Sequence, residues 1–390
     1  MQRNLKLIAK TLYGFEELLA KELRNLGASN VNQGVRSVSF EGDIGFIYKA
    51  NLCLRTAIKI LRPIANFKVF NENDLFNGVY KIDWPKIFDA EMTFAFNATV
   101  NSKVFDNSLF VALKAKDALV DRFRKERYQR PNVDTKNAQI RINVHLQDNE
   151  CTISLDSSGN SLHLRGYKMA TNIAPINEVL AAGLLLMSGW DGRTNFVDPM
   201  CGSGTFLIEA AMIACNIPAN INREAFCFKN WQDFDHGLFT KIVDASLNRT
   251  REFHHKIIGY DKAPSAVRKA QENVESANLS EYISIERKDF FRTEKPLKGP
   301  LQMVFNPPYG ERLNIDIPDF YGKLGTTLKH GYPGTQAWFI TSNLEALKYV
   351  GLRTSRKIKV YNAKLESRFV KYELYEGSKK ASKQKSAPKS

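Results

Sequence analysis

Phe15, Leu18, Leu19, Leu23 and Leu26 recur at three- and four-residue intervals and the run stops at Gly27, which predicts an amphipathic helix over 14–26. A strand at 35–40, a helix at 44–54 and an extended run at 57–69 follow, with Pro63 reading as an edge position. The next pattern is a helix at 74–80, a strand at 93–100, a long helix from 108 to about 128, and strands at 139–146 and 151–156 joined by the turn Gln147-Asp148-Asn149. Beyond the turn-rich break at 157–160 the pattern changes. Helices at 176–187, 205–215, 264–277 and 320–329 alternate with strands at 195–197, 256–260, 283–287, 301–305 and 336–341, interrupted by an inserted stretch at 216–255. Residues 357–361 and 369–375 close the series as an antiparallel hairpin. Such alternation predicts a doubly wound α/β domain with ligands at the carboxyl ends of its strands, after an N-terminal α+β region.

The 390-residue chain is 43% hydrophobic and 25% charged, which excludes collagen-like, coiled-coil and wholly disordered classes and suggests two or three domains. No stretch approaches the roughly 20 apolar residues that span a bilayer, and residues 1–10 lack a signal-peptide core, so a cytoplasmic protein without membrane contact is expected. The five cysteines (Cys53, Cys151, Cys201, Cys215, Cys227) form an odd set with no C-x-x-C pair. That argues against a disulfide framework or zinc ribbon, and no metal site is expected. Charge adds the first functional hint: 56 Lys and Arg against 41 Asp and Glu leave +15, and a polyanion is the natural partner. No obligate protein partner is evident. The excess is spread, with 23 cations against 18 anions in 1–160, 28 against 23 in 161–376, and five lysines in 377–390. That last stretch reads as a disordered basic tail, serving either loose phosphate attraction or solubility. Arg122, Arg124, Lys125, Arg127 and Arg130, with Phe123 and Tyr128 interleaved, are the candidate phosphate contacts of the N-terminal part. A charge run on a helix equally reads as its solvated face.

The chemistry concentrates at strand ends. Asp198-Pro-Met-Cys201-Gly202-Ser-Gly204-Thr205 joins a strand to an apolar helix, and its two glycines allow a sharp turn and close ligand approach. A dinucleotide fingerprint would need a third glycine where Leu207 stands, and a phosphate loop would need Gly-Lys-Ser/Thr. An Asp four residues before Gly-x-Gly instead resembles the first motif of S-adenosylmethionine-dependent methyltransferases, in which the carboxylate can pair with the ligand's ammonium group. Asp261 ends the next strand and can take two ribose hydroxyls. Asp289 and Phe290, after the third, could bind and pack on adenine; either could equally be a capping or core residue. Asn306-Pro307-Pro308-Tyr309 follows the apolar strand 301–305. Two prolines cannot continue a strand, so Asn306 is held in one orientation. Its side-chain oxygen and the Pro307 carbonyl can accept the two N–H hydrogens of an exocyclic amine. That favours a pyramidal nitrogen, while Tyr309 offers a ring face for an extruded base.

Together these motifs resemble class I amino-methyltransferases of nucleic acids. Leu164-Arg165-Gly166-Tyr167, the helix at 175–182, the run 198–211 and the run 306–313 look like the THUMP-containing ribosomal RNA guanine-N2 methyltransferases of bacteria, the RlmL type. The resemblance implies a seven-stranded, mixed, Rossmann-like sheet at 158–376, a ferredoxin-like region at 1–65 and a THUMP RNA-binding domain at 66–157. It also implies S-adenosyl-L-methionine as cofactor, held by Asp198, Cys201, Gly202, Gly204, Thr205, Asp261, Asp289, Phe290 and Asn306, with residues 173–178 forming part of the pocket. Asn306, Pro307 and Tyr309 would position the base, and the Arg122 to Arg130 helix would face RNA, 23S rRNA or a large-subunit precursor. Some members of that family carry a second methyltransferase after this one; here only the guanine-N2 activity is implied. Alternatives are a transfer-RNA guanine-N2 methyltransferase and, in another class, a non-catalytic RNA-binding or assembly factor. DNA adenine-N6 methylation shares the Asn-Pro-Pro-Tyr chemistry but gives residues 66–157 no role.

Overall fold

The computed structural model describes residues 4–127, 129–169, 176–308 and 316–375. Two compact units account for the chain: Met1–Leu164 with Arg223–Ser246, and Arg165–Asn222 with Leu247–Ser390.

The first unit is built on one seven-stranded sheet, in the order β2 (Ser29–Gly34), β3 (Ser37–Gly42), β1 (Leu5–Thr11), β4 (Ala57–Lys68), β7 (Glu150–Asp156), β6 (Ile140–Gln147), β5 (Phe94–Asn101). Only β5 and β6 pair in parallel. Strand β4 joins the halves: residues 57–61 pair with β1, and 61–68 with β7. Pro63 therefore stands on a central strand. It lies just past the last β1 partner, Leu61, and at a register shift in the β7 ladder, where a missing N–H costs little. Strand β2 is polar and almost wholly exposed, so it carries no hydrophobic period, and only its pairing with β3 reveals it. Helices α1 (Glu16–Leu26), α2 (Ile44–Cys53), α3 (Glu72–Tyr80) and α4 (Ser108–Arg127) bury Leu19, Leu23, Ile47, Val79, Leu119 and Phe123 in the same core.

Residues 223–246, within the stretch read as an insertion in the α/β region and including most of helix α7 (His236–Leu247), belong to this first unit. Their aromatics explain why. Phe228 stacks on Tyr48 at 4.7 Å, Phe234 and Phe239 meet the same ring edge-on, and the Tyr48 hydroxyl accepts the Asp235 N–H at 3.0 Å. The Arg223 guanidinium donates to the carbonyls of Ser158, Asn160, Ser161 and Leu164.

The second unit carries a seven-stranded mixed sheet, in the order β10 (Ile283–Arg287), β9 (Ile257–Asp261), β8 (Asn195–Asp198), β11 (Leu301–Phe305), β12 (Thr335–Thr341), β14 (Leu365–Glu373), β13 (Arg356–Asn362). The first five run parallel, β14 runs antiparallel to them, and β13 pairs antiparallel with β14. All five residues of β11 are buried, the continuous apolar signature of a parallel strand covered on both faces. Helix α6 (Thr205–Ala214) is buried at every position. The helices α5 (Glu178–Met187), α8 (Pro264–Ser276) and α9 (Ile317–Gly331) complete the unit. From β8 the chain moves outward to β9 and β10, then returns to place β11 on the other side of β8. The order reverses between β8 and β11, which is where an open α/β sheet forms its ligand crevice. No helix among the described residues is long and apolar enough to cross a membrane.

Candidate functional site

Strands β8 and β11 pair as Leu301↔Asn195, Gln302↔Phe196 and Met303↔Val197. This register sets Asp198 level with Val304, so Asp198 and Asn306, two residues further along, both lie at the carboxyl edge, at the switch point. Asp198 is 1% exposed and accepts the Met200 N–H at 3.1 Å. Burial, with the Asp261 charge nearby, holds its carboxyl well above the ordinary range despite that hydrogen bond. A raised folded-state value means that the unfolded chain ionises first as pH rises. Stability then falls from the usual carboxyl range upward, through the folded-state value. Asp198→Asn should melt higher than the wild type at neutral pH, with the gap closing toward pH 3 in thermal scans.

Gly202 (φ +56°) and Gly204 (φ +81°) occupy the left-handed region, so the loop requires them. Asp261 ties this loop to β9: Oδ2 accepts from the Gly202 N–H at 3.0 Å and Oδ1 from the Ala263 N–H at 2.9 Å. A carboxylate has about four acceptor positions, so the remainder can serve two vicinal hydroxyls. Cys201 is buried, its thiol pushed well up by that burial. A Cβ added to Gly259 would lie 2.4 Å from Leu207 Cδ1 and 3.3 Å from Cys201 Sγ, so the bare strand at 259 is what lets loop and helix close on it. Thr205 Oγ1 is buried without a hydrogen-bond partner among the described residues.

Asp289 is half-buried, and its Oδ1 takes the Phe291 N–H at 3.1 Å, capping the turn Phe290–Arg292. Phe290 is 2% exposed, its ring among Phe291, Phe305 and Tyr332, which places it in the core. Asn306 follows β11 directly, and Pro307 is buried beside it. The Asn306 side-chain oxygen is buried and has no hydrogen-bond partner among the described residues. A buried acceptor left unpaired costs about 1–3 kcal/mol, so the arrangement suits an incoming donor. Tyr309, Tyr128 and residues 173–175 lie outside the described residues. Of the neighbouring stretch, Asn177 caps α5 through the Leu180 N–H, and Glu178 pairs with Lys168 at 2.8 Å.

On α4, in the other unit, Arg122 pairs with Glu126 at 2.5 Å and Arg124 with Asp121 at 3.3 Å. Arg122 and Lys125 both lie over the Tyr80 ring, at 5.8 and 5.9 Å. Arg127 and Arg130 are exposed. Part of this cationic run is therefore spent within the fold.

The sequence reading missed Asn273. Fully buried on α8, it accepts the Met169 N–H at 2.8 Å and donates to the Ser203 carbonyl at 2.9 Å, fastening the segment after Arg165 to the glycine loop. The signal was there: Ala266, Ala270 and Val274 mark the apolar stripe of α8, and Asn273 interrupts it. Asn273→Ala leaves the carbonyl of buried Ser203 and the Met169 N–H without this partner and should cost about 1–3 kcal/mol in urea unfolding.

Three family descriptions match in series: an RlmL ferredoxin-like domain at 6–61, a THUMP domain at 70–156 and an RMKL-like methyltransferase domain at 165–371. A protein of Synechocystis sp. that carries the name of an RNA methyltransferase is 37% identical over 93% of this chain and 95% of its own. The structure of SMU.472, a methyltransferase complexed with SAH, is similar with a TM-score of 0.85 at 29% identity, covering 97% of this chain and 100% of that one. A Listeria monocytogenes protein named as an N6-adenine-specific DNA methylase gives 0.85 at 28% identity, covering 95% and 97%.

Proposed function

The chain belongs to the RMKL-like methyltransferase family, and from that premise we propose that it transfers a methyl group from S-adenosyl-L-methionine to the exocyclic N2 amine of a guanine in 23S ribosomal RNA. The observation that carries this reading is the Asn306 oxygen, buried, without a partner among the described residues, and fixed before two prolines at the switch point. The cofactor supplies an electrophilic methyl when bound. Asp198, Gly202, Gly204, Thr205 and Asp261 are the residues that would hold it. The buried Thr205 hydroxyl and the Asp261 acceptor positions not used by the Gly202 and Ala263 N–H groups among the described residues fit a ligand rich in hydroxyl, amino and carboxylate groups.

Asn306 and the Pro307 carbonyl act on the nucleophile. A purine amine is a poor nucleophile because its lone pair is delocalised into the ring. Two acceptors placed out of that plane favour the pyramidal form and aim its lone pair. Tyr309 is the proposed stacking platform for the base. Arg127 and Arg130, exposed on and just after α4, together with Arg122, Arg124 and Lys125, are the proposed phosphate contacts of the THUMP part.

An Asn-Pro-Pro corner would serve the adenine N6 amine by the same chemistry; the THUMP match at 70–156 is what favours RNA. Labelled S-adenosylmethionine incubated with undermethylated 23S rRNA, transfer RNA and DNA in separate reactions decides the matter. Label in N2-methylguanine from 23S rRNA is expected. Label in transfer RNA redirects the substrate, and label in N6-methyladenine overturns it.

A further inference from the structure

Between Arg353 and Lys371 the chain carries seven cations (Arg353, Arg356, Lys357, Lys359, Lys364, Arg368, Lys371) against one anion, Glu366. Residues 165–222 and 247–376 as a whole hold 25 Lys and Arg against 19 Asp and Glu. On the hairpin β13–β14 itself, Arg356–Glu373, six cations stand against Glu366 and Glu373, so four of the six excess charges of those residues sit on two strands and their turn. The pairing sharpens the point. Arg356 stands directly opposite Lys371, and Lys359 opposite Arg368. Like charges facing across strands are destabilising, so folding alone does not favour this arrangement. Glu366 relieves one pair, bridging Lys359 and Arg368 at 2.7 Å each. Glu373 takes Lys371 at 2.9 Å. Among the described residues Arg353, Arg356, Lys357 and Lys364 have no ion-pair partner, and all four are exposed.

Register fixes where this charge lies. Phe305 of β11 pairs with Phe339 of β12, which pairs with Val370. Two residues further toward the carboxyl edge, Thr341 pairs with Arg368, which pairs with Lys359. Asn306 is one residue past Phe305, so Arg368 and Lys359 stand at the same rim as Asn306, and the turn carrying Lys364 continues beyond it. Three strand spacings separate β13 from β11, about 14 Å along the sheet.

We propose that the β13–β14 hairpin is a phosphate-binding track that holds the backbone of the RNA flanking the target base. The proposal rests on the reading of this protein as an RNA methyltransferase and adds a contact surface on the catalytic unit itself. A single-stranded or looped segment whose base reaches the Asn306 corner would lay its neighbouring phosphates along this rim. The competing role for such lysines is to guard an edge strand against pairing with another copy.

The test is the triple variant R356Q/K357Q/K364Q, with R356K/K357R/K364R as the charge-preserving control. Melting curves check folding, and cofactor affinity checks the pocket. Binding to a 23S rRNA fragment is titrated between 50 and 200 mM salt. Each lost phosphate contact should flatten the slope of log K against log salt by about 0.7, so the Gln variant should lose about two units of slope, and its KM for RNA should rise tenfold or more. The control should stay within a few-fold of the wild type. Unchanged slope and KM in the Gln variant, with or without new self-association, overturn the track. Wild-type protein that methylates no RNA overturns the functional reading and the track with it. Wild-type activity together with an indifferent Gln variant overturns the track alone.

Discussion

Asn306→Ala should lower kcat by about 10²–10³ while the affinity for S-adenosylmethionine stays within a few-fold. The substitution removes an acceptor that is already in place before the amine arrives, and such preorganised groups act mainly on the transition state. It also removes a buried oxygen that has no partner among the described residues. The variant should therefore melt at or above the wild-type temperature, which separates a chemical defect from a folding one. Asn306→Asp keeps an acceptor at the same place and should recover part of the rate. Incorporation of labelled methyl, beside calorimetric titration of the cofactor, reads all three quantities. If cofactor affinity collapses while the rate at saturation survives, Asn306 serves the cofactor and the assignment of the corner to the nucleobase is wrong.

Arg165→Met should cost about 3–5 kcal/mol in urea unfolding, and the double variant R165M/E209Q should regain most of it. Arg165 and Glu209 are fully buried side chains, Nε to Oε1 at 3.4 Å. The Tyr167 hydroxyl donates to the same carboxylate oxygen at 3.0 Å, and the Arg165 guanidinium also donates to Asn220 Oδ1 at 3.3 Å. Burial beside that carboxylate holds the Tyr167 phenol well above its ordinary range, so it remains a neutral donor. Removing only the cation leaves a carboxylate in α6, directly behind the glycine loop, without its guanidinium. The cost is that of an uncompensated buried charge rather than of one hydrogen bond. A single-variant loss below about 1 kcal/mol would mean that the carboxylate is not held as an anion there.

These two residues mark how far local pattern reaches. Asn306 was legible because its constraints are its immediate neighbours: an apolar strand before it and two prolines after it. Gly202 and Gly204 were legible for the same reason, since a strand entering a helix needs a reversal that only a residue free of Cβ makes cheaply. Arg165 was visible only as part of a motif, and nothing in Leu-Arg-Gly-Tyr says that its cation is fully buried against Glu209. Phe290 illustrates the converse. Its place after a strand end suggested an adenine contact, but its ring packs against Phe291 and, from further along the chain, Phe305 and Tyr332 in the core.

The sequence by itself determined the alternation of strands and helices, the α+β region ahead of an α/β unit, the glycine loop and the asparagine-diproline corner. Each is written in side-chain period or in the backbone restrictions of glycine and proline, properties that need no partner. Tertiary structure alone decided that Asp198 and Asn306, more than a hundred residues apart, share one rim. It decided also that residues 223–246 join the first unit through Tyr48, that Asn273 fastens the loop, and that the cationic run 353–371 lies on an edge hairpin of the second sheet. Strand order, register and burial arise from contacts between segments far apart in the chain, and those energies depend on pairings that no local stretch specifies.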